Sequence, residues 1–101
     1  MGEFINVGKK NDFKEGQGKV VDANGKKIAL FFKEGKFYAI DNTCKHMGGP
    51  LGEGEIEDSI VTCPWHGWRY NIETGNNVAM PNIKVNTYNV KVEDDDVKVE
   101  I

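Results

Sequence analysis

The sequence predicts an all-β domain: an antiparallel β-sandwich or barrel base assembled from both chain ends, with a smaller subdomain of loops and short strands inserted between them. Three features predict it. Short apolar runs are separated by tight-turn signals, no stretch carries a convincing helical period, and a segment rich in Gly, Pro and Asn occupies the middle of the chain, roughly 42–82. At 101 residues the chain is expected to be one domain, with a base of roughly 1–41 and 83–101.

The elements follow in order. Residues 19–22 and 28–32 flank Asn24-Gly25, a two-residue hairpin signal, because both positions of the tight turn need positive φ. Glu34-Gly35-Lys36 turns into a third strand at 37–40. Short strands at Glu55-Ile56, Ile60-Val61 and Trp68-Arg69-Tyr70 are expected to support the central loops. Near the C-terminus Tyr88, Val90 and Val92 alternate with polar residues, as do Val97, Val99 and Ile101, and 93–96 is expected to turn between them. The one helical expectation is a short turn near Asn11 to Glu15. The acidic run 93–96 reads as a solvated turn, Lys9-Lys10 and Lys26-Lys27 as surface charge, and Phe31, Phe32 and Phe37 as core.

Composition excludes several classes. The net charge is −3 with no basic run, which argues against nucleic acid or an anionic membrane as partner. The longest apolar run, 28–32, is far too short to cross a bilayer, and the first residues lack the apolar stretch of a secretory signal. A soluble, cytoplasmic protein without a membrane anchor is expected, in a reducing compartment that keeps its two cysteines as thiols.

Those cysteines carry the chemistry. Cys44-Lys45-His46 and Cys63-Pro64-Trp65-His66 use every cysteine and histidine in the chain. Two soft-ligand pairs in two short glycine-containing loops point to one metal site. Residues two apart in an extended segment face the same side, so Cys44 and His46 can address one centre. Gly48, Gly49, Gly52 and Gly54 are expected to permit a tight path with positive φ and close approach of backbone amides. A Cys₂His₂ zinc site needs the same donor atoms, although zinc loops usually open with C-x₂₋₄-C rather than C-x-H. Gly48 to Gly54 does not open a helix after a strand, so a phosphate loop fits poorly.

Cys44-x-His46 and Cys63-Pro64-x-His66-Gly67, followed by Trp68-Arg69-Tyr70-Asn71, Thr74-Gly75 and Met80-Pro81, resemble the Rieske family over about residues 37–92. The resemblance implies a low-potential Rieske-type ferredoxin that holds one [2Fe–2S] cluster through Cys44, His46, Cys63 and His66. It implies one-electron transfer from a flavin- or NAD(P)H-dependent reductase to an oxygenase or similar acceptor, with no bond-making of its own. An alternative within the same fold is a Rieske-like small subunit of nitrite reductase. A zinc-bound interaction module is a third reading. A complete oxygenase is disfavoured, since its non-haem iron needs two further histidines and a carboxylate.

The family further implies that Tyr70 donates to a cysteine sulfur. High-potential members add a disulfide between the ligand loops and a serine two residues beyond the second histidine. Here no cysteine stands at 47–49 or 64–65, and Trp68 occupies the serine position. Each imidazole would leave one nitrogen at the surface. Met47, Pro50, Trp65 and Pro81 are expected to form an apolar collar on which partners dock, the alternative being that they only shield the cluster from water.

Charge counting sets the potential. An oxidised core carries two positive charges, which two thiolates and two neutral imidazoles neutralise, whereas four thiolates leave the site doubly negative. An electron enters a neutral centre more readily, and Rieske centres accordingly span about −150 to +300 mV against about −400 mV for plant-type clusters. Without the disulfide and the serine, the midpoint is expected below about +150 mV. Reduction raises the imidazole pKa values, so above the oxidised pKa the midpoint should fall by ~59 mV per pH unit. Redox titration across pH checks both; a flat or much higher midpoint contradicts them.

Overall fold

The computed structural model describes residues 2–44, 48–65 and 67–101. In chain order the strands are β1 (Phe4–Lys9), β2 (Gln17–Ala23), β3 (Lys26–Lys33), β4 (Lys36–Asp41), β5 (Glu55–Glu57), β6 (Ile60–Thr62), β7 (Arg69–Asn71), β8 (Thr87–Tyr88), β9 (Val90–Glu93) and β10 (Asp96–Glu100). They form three antiparallel sheets, ordered β1-β10-β9, β2-β3-β4-β8 and β5-β6-β7. Two 3₁₀ turns, Lys10–Asp12 and Leu51–Glu53, are the helical elements among the described residues.

The hairpins follow from the turn residues. Asn24 and Gly25 both take positive φ, 58° and 91°, and the Gly25 N–H donates to Asp22 Oδ1 at 2.7 Å. Glu34 and Gly35 repeat this between β3 and β4, with φ of 53° and 77°. The continuous apolar run on β3 is explained by its position. Ile28, Leu30 and Phe32 face a core shared with Val97 and Val99 of β10, and Ala29 and Phe31 face a second core with Cys44, Leu51, Val61, Cys63 and Tyr70. A strand covered on both faces has no solvent side to make polar.

Four expectations are corrected. β1 was not foreseen; it pairs with β10 across a register break between Asn6 and Gly8, and such a bulge weakens the sequence signal. The turn expected over 93–96 narrows to Asp94-Asp95, because Glu93 and Asp96 pair across β9 and β10. The helical turn expected near Asn11 to Glu15 lies slightly earlier, at Lys10–Asp12. The alternation of Tyr88, Val90 and Val92 is not one strand. β8 pairs with β4 and β9 with β10, so the chain changes sheets at Asn89.

Where the chain leaves β4 and where it returns at β8 are fastened by one carboxylate. Asp41 Oδ1 accepts the Tyr88 hydroxyl at 2.5 Å, Asp41 Oδ2 accepts the Asn86 N–H at 2.9 Å, and the Asp41 N–H donates to Asn86 O at 3.0 Å. Burial first, and then the Asp41 carboxylate, push the Tyr88 hydroxyl above its ordinary pKa of 10.0. The neutral phenol is the form the fold favours. Its contribution is fully present below the unfolded-state pKa and is lost as pH rises through the raised folded-state value. Tyr88→Phe is expected to cost about 1.5 kcal/mol at neutral pH and to remove part of the stability loss that sets in as pH rises above the ordinary tyrosine pKa of 10.0. Urea unfolding at neutral pH and above pH 10.0 checks it.

Candidate metal centre

Beyond β4 the backbone closes a loop upon itself. The Leu51 N–H donates to Asn42 O at 2.7 Å and the Gly52 N–H to Asn42 Oδ1 at 2.8 Å. Thr43 and Pro50 form a bridge, and Cys44 N–H to Gly49 O and Gly48 N–H to Cys44 O, each 2.9 Å, close the neck. The second loop leaves β6 at Cys63, whose N–H donates to Trp68 O at 2.7 Å before β7 begins. Both cysteines are 2% exposed, within one apolar cluster.

The two thiols face each other without a disulfide. Burial pushes the Cys63 thiol above its ordinary pKa, the Trp65 backbone N–H pulls it down, and the neighbouring Cys44 thiol adds to the rise. Cys44 Sγ lies 3.5 Å from the fully buried Tyr70 hydroxyl, which would donate to a thiolate there. Two buried thiols that repel as thiolates, each with a polar hydrogen close by, suit a shared cation and are poorly suited to water. Two such thiols supply the donors that the sulfur-ligated iron of a Rieske-type cluster needs.

His46, Met47 and His66 lie outside the described residues. Gly48 and Gly67 are exposed and take positive φ, 77° and 76°. Trp65 and Pro81 are exposed, Pro50 is half-buried, and Trp68 is half-buried against the cluster that holds the cysteines. The loop glycines are used differently from the expectation. Among Gly48, Gly49, Gly52 and Gly54, positive φ is confined to Gly48. Gly49 is needed for space: a Cβ there would stand 2.7 Å from Cys63 Sγ and 3.1 Å from Trp65 Cβ.

Sequence reasoning missed Asn42, whose Oδ1 accepts the Gly52 N–H within the Leu51–Glu53 turn, and Asn77. Asn77 is buried, and its Oδ1 accepts the Ala79 and Met80 N–H groups at 2.9 Å, shaping the loop that carries Pro81. An Asx-turn signal exists in Asn76-Asn77, but nothing in the sequence says which of the two is buried.

The Rieske [2Fe-2S] domain matches residues 3–89. This chain belongs to the Rieske family. The resemblance read from the two ligand boxes is thereby borne out, and the family's cofactor is a [2Fe–2S] cluster. The chain is 39% identical over 84 residues to the ferredoxin component of the naphthalene 1,2-dioxygenase/salicylate 5-hydroxylase systems of a Ralstonia species, covering 82% of this chain and 81% of that protein. It is similar to a chain in the solved complex of reduced oxygenase and oxidized ferredoxin in carbazole 1,9a-dioxygenase, with TM-score 0.86, 27% identity, and 96% and 92% of the two chains covered. The putative NADH-dependent nitrite reductase small subunit from Mycobacterium tuberculosis shares the fold, with TM-score 0.92 over 100% of this chain and 96% of that one, at 19% identity.

Gly49→Ala is expected to lower the iron bound by the purified Rieske protein more than about tenfold while leaving the base sheets folded, since the added methyl competes with Cys63 Sγ for space. Iron analysis beside far-ultraviolet circular dichroism checks it; full iron content contradicts it.

Proposed function

We propose that this chain is a one-electron carrier, in which Cys44 and Cys63 bind one iron of the cluster and His46 and His66 bind the other. The observation that supports it best is the pair of buried, mutually facing thiols with no disulfide between them. When bound, the cluster supplies one-electron chemistry at a potential raised by its two neutral ligands.

The chain's own residues do the rest. Leu51, Val61, Ile72 and Val85 keep water from the sulfurs. The Trp65 N–H and the Tyr70 hydroxyl stabilise negative charge on Cys63 and Cys44 respectively. Residues 42–82 act as the cluster-bearing subdomain on a base of 1–41 and 83–101. Trp65 and Pro81 are exposed and Pro50 half-buried, and in this reading the electron exits through the two histidines.

A flavin- or NAD(P)H-dependent reductase is the donor in this reading, and an oxygenase or similar acceptor receives the electron in the cytoplasm. It rests on the ferredoxin-component relative and on the similarity to a chain of an oxygenase–ferredoxin complex. The carrier itself makes and breaks no bonds. Likeness to the nitrite reductase small subunit concerns the fold alone.

Anaerobically purified protein is expected to hold about two irons and two acid-labile sulfides per chain. Cys44→Ser and Cys63→Ser should each lose more than about tenfold of both. Colourless, zinc-containing protein would contradict the reading, as would cysteine variants that retain their iron.

A further inference from the structure

Formal charge is unevenly divided along the chain. Residues 42–82 contain Glu53, Glu55, Glu57, Asp58 and Glu73 against Lys45 and Arg69, which accounts for the entire net charge of −3; the remainder carries eleven acidic and eleven basic side chains. Pairing follows the same division. Among the described residues the ion pairs are Lys9–Asp96, Lys27–Asp22, Lys91–Glu93 and Lys98–Glu93, all within the first two sheets. Glu53, Glu55 and Glu57 are exposed and have no ion-pair partner among the described residues.

Their placement gives the charge a direction. Glu55 and Glu57 share one face of β5, and Ile56 between them packs against the core that holds the cysteines. A groove of about 230 Å³ is lined by Glu53, Gly54, Glu55, Thr62, Cys63 and Pro64, so this acidic ridge borders the segment that bears a proposed iron ligand. Of the exposed large hydrophobic residues, Trp65 follows Pro64 at the wall of this groove, whereas Val78 lies beyond β7, its N–H donating to Arg69 O, at the opposite edge of the sheet from β5. An exposed indole beside an acidic ridge complements a protein face that carries cations beside its redox centre.

We infer that Trp65 and the β5 edge form the docking face for a basic redox protein, one of whose cationic side chains enters the groove between Glu53 and Glu55. Approach is then off-centre, from the Cys63 side. This inference rests on the electron-carrier reading above. Charge on an exposed edge strand also discourages edge-to-edge pairing, but that role predicts no dependence on a particular partner.

The test compares two triple variants with the same change in net charge, E53Q/E55Q/E57Q and E3Q/D94N/D95N. The dithionite-reduced holoprotein is mixed with cytochrome c, a basic one-electron acceptor, and separately with ferricyanide, a small anion. At low ionic strength the β5-edge variant is expected to reduce cytochrome c about tenfold more slowly, and the difference should vanish in about 0.5 M salt. The other variant should stay within about twofold of wild type, and ferricyanide should lose nothing with either. Carbodiimide cross-linking to cytochrome c, read by mass spectrometry, should fall on Glu53, Glu55 and Glu57. Equal slowing by both variants, or by neither, or cross-links spread over 93–96, overturns the docking face. Wild-type protein without a reducible cluster overturns the carrier reading instead, and the cross-linking, which needs no electron transfer, still reports the docking site.

Discussion

Two thiols held against each other out of water are the constraint on which the structure turns. Burial disfavours the Cys63 thiolate, and the neighbouring Cys44 thiol disfavours it further, so in the isolated polypeptide Cys63 keeps its proton. A bound cation reverses the sign of that local field and makes the same arrangement favourable. The fold therefore has to keep the sulfurs together before the compensating charge arrives.

The sheets show how this is done. β3 is covered on one face by the β1-β10-β9 sheet and on the other by the cysteine-bearing layer, so both cores share one rigid strand. The long central excursion is fastened at its mouth by Asp41, bonded to Asn86 and Tyr88, and at the first loop by Asn42, bonded to Leu51 and Gly52. Gly49 then lets the closed loop approach Cys63. Chemistry carried by loops and rigidity supplied by strands is a common division in small domains, and here the fastening points are polar side chains at the boundary between the two.

Much of this was readable beforehand, for reasons tied to particular residues. Asn24-Gly25 and Glu34-Gly35 announce hairpins because few residues tolerate positive φ. The ligand boxes stand out because they exhaust the chain's cysteines and histidines. Tyr70 beside Cys44 was anticipated through the family resemblance, not through the residue itself. Other features have no local signature. Period-two alternation from Tyr88 to Val92 continues unbroken although the pairing partner changes at Asn89, since facing is local and pairing is not. The bulge in β1 hides a strand, and no sequence pattern shows that Gly49 meets a sulfur 2.7 Å from where its Cβ would be.

The central claim concerns which atoms hold the irons, and pulsed electron paramagnetic resonance of the dithionite-reduced protein tests it most directly. The account predicts strong magnetic couplings to two nitrogens from directly bound imidazoles, one lost in His46→Cys and the other in His66→Cys. A reduced state with no strongly coupled nitrogen, or none that is paramagnetic at all, would contradict it.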